Sequence, residues 1–303
     1  MESADTSLKG RARRGAGGAF QRARLIGDAV MIRHTLFSLP FVLSAILLES
    51  SGRPPAMKIL WIVVAATGAR NAANALNRLV DVKIDAVNPR TADRPLPSGK
   101  ISAKSLWLFT AAMLALLAVG AAMLNTLCFA LLPAAGFLVF GYSYTKRFTW
   151  LCHFWLGLTC SAATMGAFLG LSGRFELRYF PIVAAVALWV AGFDILYALQ
   201  DIDFDRAHGL RSVPARFGAR AARVIAASCH AGTILGLSSV FFFWKAPGLG
   251  TASALVVCAA LLTAEHIVAL GGTGKHLRVA AYSINEILPV VYLIGIVSDI
   301  YLL

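Results

Sequence analysis

Acidic side chains gather in two short windows of this 303-residue chain. Seven of its fifteen Asp and Glu residues lie there, namely Asp81, Asp85, Asp93, Asp194, Asp201, Asp203 and Asp205. Carboxylates at this density repel one another unless bound cations neutralise them. Magnesium prefers oxygen ligands and characteristically binds one or two carboxylates together with substrate phosphates. The two windows therefore predict Mg2+ binding against a phosphorylated substrate.

The first window has the spacing of a metal-binding helix face. Asn77, Asp81 and Asp85 stand at positions i, i+4 and i+8, and a helix with about 3.6 residues per turn places all three on one side. Arg70 precedes Asn77 by one or two turns, on nearly the same face. We predict that Asn77, Asp81 and Asp85 bind magnesium and that Asp81 is essential for catalysis.

The second window places three further carboxylates on one helical face. Asp194, Asp201 and Asp205 stand at i, i+7 and i+11, whereas Asp203 points elsewhere and is the weakest candidate of the four. We predict that Asp201 and Asp205 bind metal and that Asp201 and Asp194 take part in catalysis.

The two windows also resemble each other. A basic residue and a hydroxyl residue follow each of them, Arg90-Thr91 in the first and Arg211-Ser212 in the second, and a proline comes soon after. Asp81 and Asp201 are 120 residues apart. We interpret this pattern as a weak internal duplication, in which each half supplies one metal site.

Basic residues accompany the acids, and seven of them are candidates for phosphate binding: Arg70, Lys83, Arg90, Arg94, Lys146, Arg147 and Arg211. Guanidinium groups match phosphate oxygens in geometry and charge. Carboxylates, magnesium and guanidinium groups together are typical of a diphosphate site. The combination predicts a diphosphate substrate.

The elements that carry these windows are apolar enough to lie in lipid. Hydrophobic residues make up 58% of the chain and charged residues 14%, whereas soluble domains have about 25% charged residues. Apolar stretches that approach the length of a membrane-spanning helix number nine: 35–50, 57–77, 103–123, 126–143, 151–171, 179–199, 221–244, 249–269 and 281–300. We predict an all-α integral membrane protein with nine transmembrane helices in a bundle. In such a protein, the natural diphosphate carries a long apolar tail.

Positive charge is distributed unevenly between the two predicted sides of the membrane. With the N-terminus inside, the inside segments hold 22 Lys and Arg and the outside loops five, while Arg70 lies within a span. Since positive loops stay in the cytoplasm, we predict that the N-terminus and both windows face the cytoplasm from the plasma membrane. This distribution explains the net charge of +13 without nucleic acid. Residues 1–34 are predicted to form a basic cytoplasmic segment, and 35–303 the transmembrane domain.

Other reactive residues lack a chemical pattern. The five cysteines have no CxxC spacing, so neither a disulfide framework nor a zinc site is predicted. The histidines have no metal-ligand spacing either. Asn285 and Glu286 in the last span fit the border of a cavity and a structural role equally well.

The motifs resemble the two signatures of the UbiA-type aromatic prenyltransferase superfamily. The first is carried by residues 77–85, followed by Asn88-Pro-Arg-Thr and Arg94-Pro-Leu-Pro-Ser-Gly. The second is carried by residues 201–205, followed by Gly209-Leu-Arg-Ser. Lys146-Arg147-Phe-Thr resembles the family's basic loop between helices four and five. The similarity spans residues 35–300.

The resemblance implies a central cavity, two magnesium-binding motifs capped by cytoplasmic loops, and a lateral opening for the tail of a polyprenyl diphosphate. The most similar branch is the 4-hydroxybenzoate polyprenyltransferase-like group of quinone biosynthesis. Arg78 stands where the family commonly has Asp, and Val82 where it commonly has Arg. These departures favour menaquinone-linked members, so the implied aromatic acceptor is either 4-hydroxybenzoate-like or dihydroxynaphthoate-like.

A mechanism follows as a hypothesis. Magnesium between the two motifs neutralises the diphosphate and makes it a better leaving group, while Arg70, Lys146 and Arg147 stabilise the charge that accumulates. Aromatic faces shield the allylic cation through cation–π attraction, with Tyr142, Tyr144 and Tyr197 as candidates. The acceptor ring attacks the cation, and Asp194 removes the ring proton.

Three alternatives remain open. An ion-coupled transporter also places carboxylates in the membrane, although transporters tend to bind near the midplane and these acids lie at helix ends. A non-catalytic scaffold would bind neither magnesium nor a prenyl diphosphate. Within the superfamily, the haem and chlorophyll types of prenyl transfer are further possibilities.

Overall fold

The computed structural model describes residues 24–30, 39–271, 277 and 283–302, and these residues form helices and connecting turns without any strand. The helices are α1 (Leu39–Glu49), α2 (Ala56–Val80), α3 (Val82–Val87), α4 (Ala103–Leu124), α5 (Thr126–Ala130), α6 (Leu132–Thr145), α7 (Cys152–Ser172), α8 (Tyr179–Ala198), α9 (Ile202–Ala207), α10 (Val213–Ser238), α11 (Val240–Phe243), α12 (Leu249–Leu270) and α13 (Asn285–Tyr301). A short 3-10 turn, Leu199–Asp201, joins α8 to α9.

Six helical segments of the described chain are long and apolar enough to cross a bilayer. They are Ala56–Val80, Ala103–Leu124, Cys152–Ser172, Tyr179–Ala207, Val213–Phe243 and Leu249–Leu270. The described parts of the predicted spans 35–50, 126–143 and 281–300 overlap only shorter helices, namely α1, α5 with α6, and α13. The prediction of a multi-pass, all-helical membrane protein is therefore confirmed, whereas helix length supports six of the nine predicted spans.

The core of the bundle is aromatic and aliphatic. Trp189 of α8 is fully buried, and its ring lies 5.2 Å from that of Phe41 in α1. Tyr292 of α13 packs against the same Phe41 at 5.7 Å between ring centroids. These contacts bring the first, middle and last helices together at one point. The five cysteines are free thiols.

Small residues set the distance between neighbouring helices, as is common where lipid surrounds a bundle. Gly157 of α7 faces the backbone of α8, and a Cβ added there would collide with the carbonyl oxygen of Ala187. Gly166, also in α7, has no heavy atom within 4 Å of such a Cβ.

We expect Gly157→Ala to lower thermal stability, because backbone cannot move aside as a flexible side chain can. Overpacking of this kind costs about 1–3 kcal/mol. Gly166→Ala is the matched control on the same helix, and its unfolding midpoint should not fall. Thermal unfolding in detergent followed by circular dichroism measures both, and equal midpoints for the two variants would contradict the close approach of α7 and α8.

The described part of the predicted N-terminal segment packs on the bundle. Ala29 and Val30 are buried in a cluster with Ala75, Leu96 and other apolar residues at the end of α2. Their backbone carbonyls accept hydrogen bonds from side chains of α2, Ala29 from Arg78 Nε (3.3 Å) and Val30 from Asn74 Nδ2 (2.9 Å). Residues 24–30 therefore lie over the helix end that carries the first acidic window.

Candidate active site

Both acidic windows lie where a long helix breaks. Helix α2 ends at Val80, and Asp81 has φ −92° and ψ 5° before α3 begins. Asp201 has nearly the same backbone, φ −106° and ψ 6°, before α9 begins. The prediction that each window lies on one continuous helix is therefore wrong. The hydrogen bonds from Asp81 N to Asn77 O (2.9 Å) and from Asp85 N to Asp81 O (2.8 Å) persist across the break, which keeps the three side chains in phase.

The two breaks match in position as well as in geometry. Helices α3 and α9 each have six residues and begin 120 residues apart, at Val82 and Ile202. A buried Asp lies in the first turn of each, Asp85 in α3 and Asp205 in α9. This repeat of structure at the predicted offset supports the interpretation of an internal duplication.

One cavity of about 200 Å³ collects the acids of both windows. Of the predicted site residues, those that line it are Arg70, Asn77, Asp81, Asp85, Arg90, Arg94, Tyr142, Lys146, Asp194, Tyr197, Asp201 and Asp205. Asp81 and Asp201 thus lie on the same side of the bundle and close enough to share one ligand.

In the first window, Asp81 is held by an amide and a guanidinium. Asn77 Nδ2 donates to Asp81 Oδ2 at 2.7 Å, and Arg147 Nη2 donates to Asp81 Oδ1 at 2.9 Å. Burial raises the pKa of Asp81 above its usual value, while the charge of Arg147 acts in the opposite direction. The carboxylate of Asp81 is therefore costly to keep ionised without a cation beside it.

Asp85 has two arginine partners. Arg94 Nη1 donates to both carboxylate oxygens, at 2.9 and 2.8 Å. Arg78 Nη1 lies 3.5 Å from Oδ2 of the same group. Because Asp85 is only 7% exposed, these two guanidinium groups supply the charge that burial would otherwise leave uncompensated.

In the second window, the carboxylate of Asp201 is bound by Arg90, which lies in the turn that follows the first window. Arg90 donates to Asp201 through Nε (3.0 Å) and Nη2 (2.7 Å), and its Nη1 donates to the Tyr197 hydroxyl at 3.1 Å. Asp205 accepts a hydrogen bond from Ser212 Oγ at 2.8 Å. The bidentate Arg90–Asp201 pair joins the two halves across the cavity.

Lys146 adds a half-buried positive charge to the cavity that collects both windows. Burial acts to lower the pKa of Lys146, but the negative charges of Asp205, Asp194 and Asp201 outweigh it and raise the pKa above its usual value. Lys146 is therefore a permanent cation at neutral pH.

The donor atoms fit a hard divalent cation. The acids and Asn77 offer oxygen ligands, which magnesium prefers. Among the described residues, no group of three His, Cys, Asp or Glu side chains is already placed to hold a metal ion. The carboxylates of Asp201, Asp85 and Asp81 pair instead with arginines, whose side chains are 27–33% exposed.

Four predicted site residues, Lys83, Tyr144, Arg147 and Arg211, do not line the cavity. Lys83 is exposed on α3. Arg211 is also exposed, and its Nη1 donates to the carbonyl oxygen of Phe148 at 2.6 Å. Tyr144 is 49% exposed and lies against the guanidinium of Arg147 at 5.4 Å. Arg147 itself reaches the site through its ion pair with Asp81.

No sequence motif marks His153, which contacts the predicted catalytic residue Asp194. His153 of α7 is fully buried, and its Nδ1 lies 2.6 Å from Asp194 Oδ2. The backbone N–H of Val213 donates to His153 Nε2 at 3.3 Å. Since Nε2 accepts this bond, the proton of the neutral ring is on Nδ1 and points at Asp194. The 41 residues between His153 and Asp194 explain why no local motif reveals the pair.

An apolar cleft continues from the cavity between the helices. It has a volume of about 290 Å³ and is lined largely by alanines and leucines of α2, α4, α6 and α7. A smaller space of about 150 Å³ joins the two, because it shares Arg70, Tyr142 and Cys160 with the cavity and Ala66 and Ala163 with the cleft. The charged cavity and the apolar cleft therefore adjoin one another through this smaller space.

Comparison with known proteins identifies the family. The UbiA prenyltransferase family profile matches residues 38–285, and these residues contain both acidic windows, the cavity and the cleft. The chain belongs to the UbiA prenyltransferase family. The resemblance seen in the sequence motifs is thereby confirmed.

UbiA relatives of known structure share the fold. A UbiA homolog from Aeropyrum pernix K1 is 33% identical, with a TM-score of 0.80 over 88% of this chain and 98% of that one. A UbiA homolog from Archaeoglobus fulgidus, solved bound to GPP and Mg2+, is 19% identical with a TM-score of 0.65, over 90% of this chain and 99% of that one. The second likeness shows the UbiA fold alone.

Among curated UbiA relatives, the 4-hydroxybenzoate octaprenyltransferase of Aliivibrio fischeri (strain MJ11) is 31% identical over 195 residues, which is 64% of this chain and 66% of that protein. The chain thus spans just under two thirds of the length of this relative. This similarity supports the predicted 4-hydroxybenzoate branch of the UbiA family.

Proposed function

We propose that this UbiA protein transfers a polyprenyl chain from its diphosphate to an aromatic acceptor in quinone biosynthesis, with Mg2+ as cofactor. One observation carries the proposal: both acidic motifs and their arginines face a single cavity that continues into an apolar cleft. The cavity suits a diphosphate with a divalent cation, and the cleft suits a hydrocarbon tail. A transporter needs no such pairing of a phosphate site with a tail site.

The residues divide into ligand-binding groups around the diphosphate. Asn77, Asp81, Asp85, Asp201 and Asp205 would hold magnesium, which when bound neutralises the leaving group. Lys146, with its permanent charge, and the arginines that turn away from the carboxylates bind phosphate oxygens as they gain charge. Arg70, at the junction of cavity and cleft, adds positive charge on the side of the tail.

The remaining groups act on the organic part of the reaction. The rings of Tyr142 and Tyr197 line the cavity and shield the allylic cation. Asp194, oriented by His153, accepts the proton that leaves the ring of the acceptor. Water is kept from the cation by the apolar lining on the side of the cleft.

The acceptor is proposed to be 4-hydroxybenzoate-like, as the name of the relative from Aliivibrio fischeri indicates for that protein, or dihydroxynaphthoate-like. The site faces the cytoplasm from the plasma membrane, as the distribution of Lys and Arg between the loops indicates.

Purified protein in nanodiscs, given octaprenyl diphosphate, Mg2+ and each acceptor in turn, should form a prenylated product with one of them, identified by its mass. Removal of Mg2+ with EDTA should stop the reaction, and added Mg2+ should restore it. No product from either acceptor would refute the proposal, and ion-driven uptake without product would establish the transporter instead.

A further inference from the structure

The start of α10 carries positive charge without matching acids. Arg216, Arg220 and Arg223 lie within eight residues, and the sequence has no Asp or Glu from position 206 to position 264. On the described chain, no carboxylate oxygen lies within 4.0 Å of a nitrogen of these three side chains. By contrast, three arginines beside the cavity pair with aspartates. The three positive charges on α10 are therefore available to an anionic ligand.

Aromatic rings hold the first of these arginines in place. The guanidinium of Arg216 lies 5.8 Å from the ring centroid of Trp150 and 5.3 Å from that of Phe217, and the two rings pack edge to face at 5.1 Å. Helix α10 is interrupted directly after them at Gly218, whose φ of 81° is readily adopted by glycine. Tryptophan beside arginine is typical of the level of phospholipid head groups in membrane proteins. Trp150 and Arg216 thus mark that level at the start of α10.

The second arginine stands at the head of an exposed apolar stripe. Arg220, Val224, Ala227, Ala231 and Leu235 follow the spacing i, i+4, i+7, i+11 and i+15, which keeps them on one side of a helix. All five are exposed, Val224 by 62% and Leu235 by 75%. They belong to a segment long and apolar enough to cross a bilayer. From the guanidinium of Arg220, apolar surface therefore continues along the membrane-spanning part of the helix.

The third arginine has a buried donor that the described chain leaves unused. Arg223 follows Arg220 by three residues, which places it on the neighbouring side of the helix. Its side chain is half-buried, and its Nε is buried without a hydrogen-bond partner. An unsatisfied buried donor is costly, and a phosphate oxygen satisfies a guanidinium well. An anionic group beside Arg223 would therefore be stabilised.

We propose that the start of α10 binds an anionic phospholipid, with its phosphate at Arg220 and Arg223 and an acyl chain along the stripe that ends at Leu235. Guanidinium groups fit the phosphate in charge and geometry, and basic surfaces beside membrane helices bind anionic head groups. A soluble protein or a free phosphate would match the charge alone and leave the apolar stripe uncovered.

The lipid would also support the second acidic motif. Ser212 caps α10 and its hydroxyl donates to Asp205 at 2.8 Å. A head group bound one to three turns further along fixes the end of the helix from which Ser212 projects. The lipid site itself lies outside the cavity, so it does not depend on the proposed reaction.

Lipid titration followed by native mass spectrometry tests the site. The full-length protein in detergent is titrated with dioleoyl phosphatidylglycerol or dioleoyl phosphatidylcholine, which share their acyl chains and differ in head-group charge. We expect the wild type to bind phosphatidylglycerol more tightly. Arg220→Gln/Arg223→Gln should weaken this binding about 30-fold, at about fivefold for each positive charge lost.

The matched control is Lys100→Gln/Lys104→Gln, which removes two exposed positive charges near the start of α4. It should leave the affinity for phosphatidylglycerol within about twofold, as is usual for surface substitutions. If the α10 double variant fails to fold, Arg220→Gln alone, at an exposed position, should show about a fivefold loss in the same titration.

Thermal unfolding gives a second measurement, because a ligand that binds the folded state stabilises it. Phosphatidylglycerol should raise the unfolding midpoint of the wild type and of the Lys100→Gln/Lys104→Gln control, and not that of the α10 double variant. Equal affinities for the two lipids, or equal losses in the two double variants, would overturn the inference. Displacement of the lipid by glycerol 3-phosphate would also overturn it, since the site would then bind a free phosphate.

Discussion

Asp201→Asn should reduce kcat for prenyl transfer by at least about 10²-fold, the loss typical when an electrostatic contact to a transition state is removed. Asp201 lies at the break between α8 and α9 and is the group to which Arg90 binds with two hydrogen bonds. The amide keeps the shape of the side chain but removes its charge. It therefore weakens both the cation site and the contact that joins the two halves.

Asp203→Asn is the matched control for this substitution. Asp203 is two residues away on α9 and exposed to solvent, so the same chemical change there should leave kcat within about twofold, as is usual for surface substitutions. Product formation at saturating substrates, measured by mass spectrometry, gives both values. Equal rates for the two variants would remove Asp201 from the catalytic site.

Asp194→Asn should lower kcat by about 10²- to 10⁴-fold, the range for loss of a general base, with a smaller effect on KM for the prenyl diphosphate. Asp194 lines the cavity. Among the described residues, its one hydrogen-bond partner is His153, whose Nδ1 lies 2.6 Å from Asp194 Oδ2. The contact with His153 holds the carboxylate of Asp194 in a fixed orientation at the cavity wall.

His153 variants test whether this orientation matters. His153→Ala removes the donor and should reduce kcat, whereas His153→Asn can place an amide N–H near the position of Nδ1 and should recover part of the loss. A purely structural role for His153 would instead reduce protein stability in both variants and leave the kcat of folded protein unchanged. An unaltered kcat in Asp194→Asn would show that another group accepts the proton.

Spacing alone predicted which acids face one cavity, because hydrogen bonds continue through Asp81 even though the helix does not. It could not predict the arginine partners, since Arg90 and Asp201 are 111 residues apart and meet only in the folded bundle. Lys83 and Arg211 lie close to the motifs in sequence, but both residues are exposed, Lys83 on α3 and Arg211 in the loop before α10. Sequence proximity does not reveal this orientation.

Hydropathy could likewise predict that the chain is a multi-pass helical membrane protein, but not where each helix begins and ends. Hydropathy marked each of the six long apolar segments of the described chain, because lipid demands apolar surface over a whole span. Within 126–143, however, the chain restarts its helix at Leu132, with Pro133 at the first turn. Proline is tolerated at such a start, so the apolar run continues although the helix is interrupted. Hydropathy cannot distinguish one continuous helix from two consecutive apolar helices.

The apolar cleft has a consequence for how a product leaves. Alanines form much of its wall, and Phe175, which also lines it, is 51% exposed. At about 0.8 kcal/mol for each CH2, passing ten methylene groups through water would cost about 8 kcal/mol. Departure sideways into the acyl chains avoids that barrier altogether. Turnover would then depend on bilayer fluidity and composition, and a longer isoprenoid would simply extend further into the surrounding membrane.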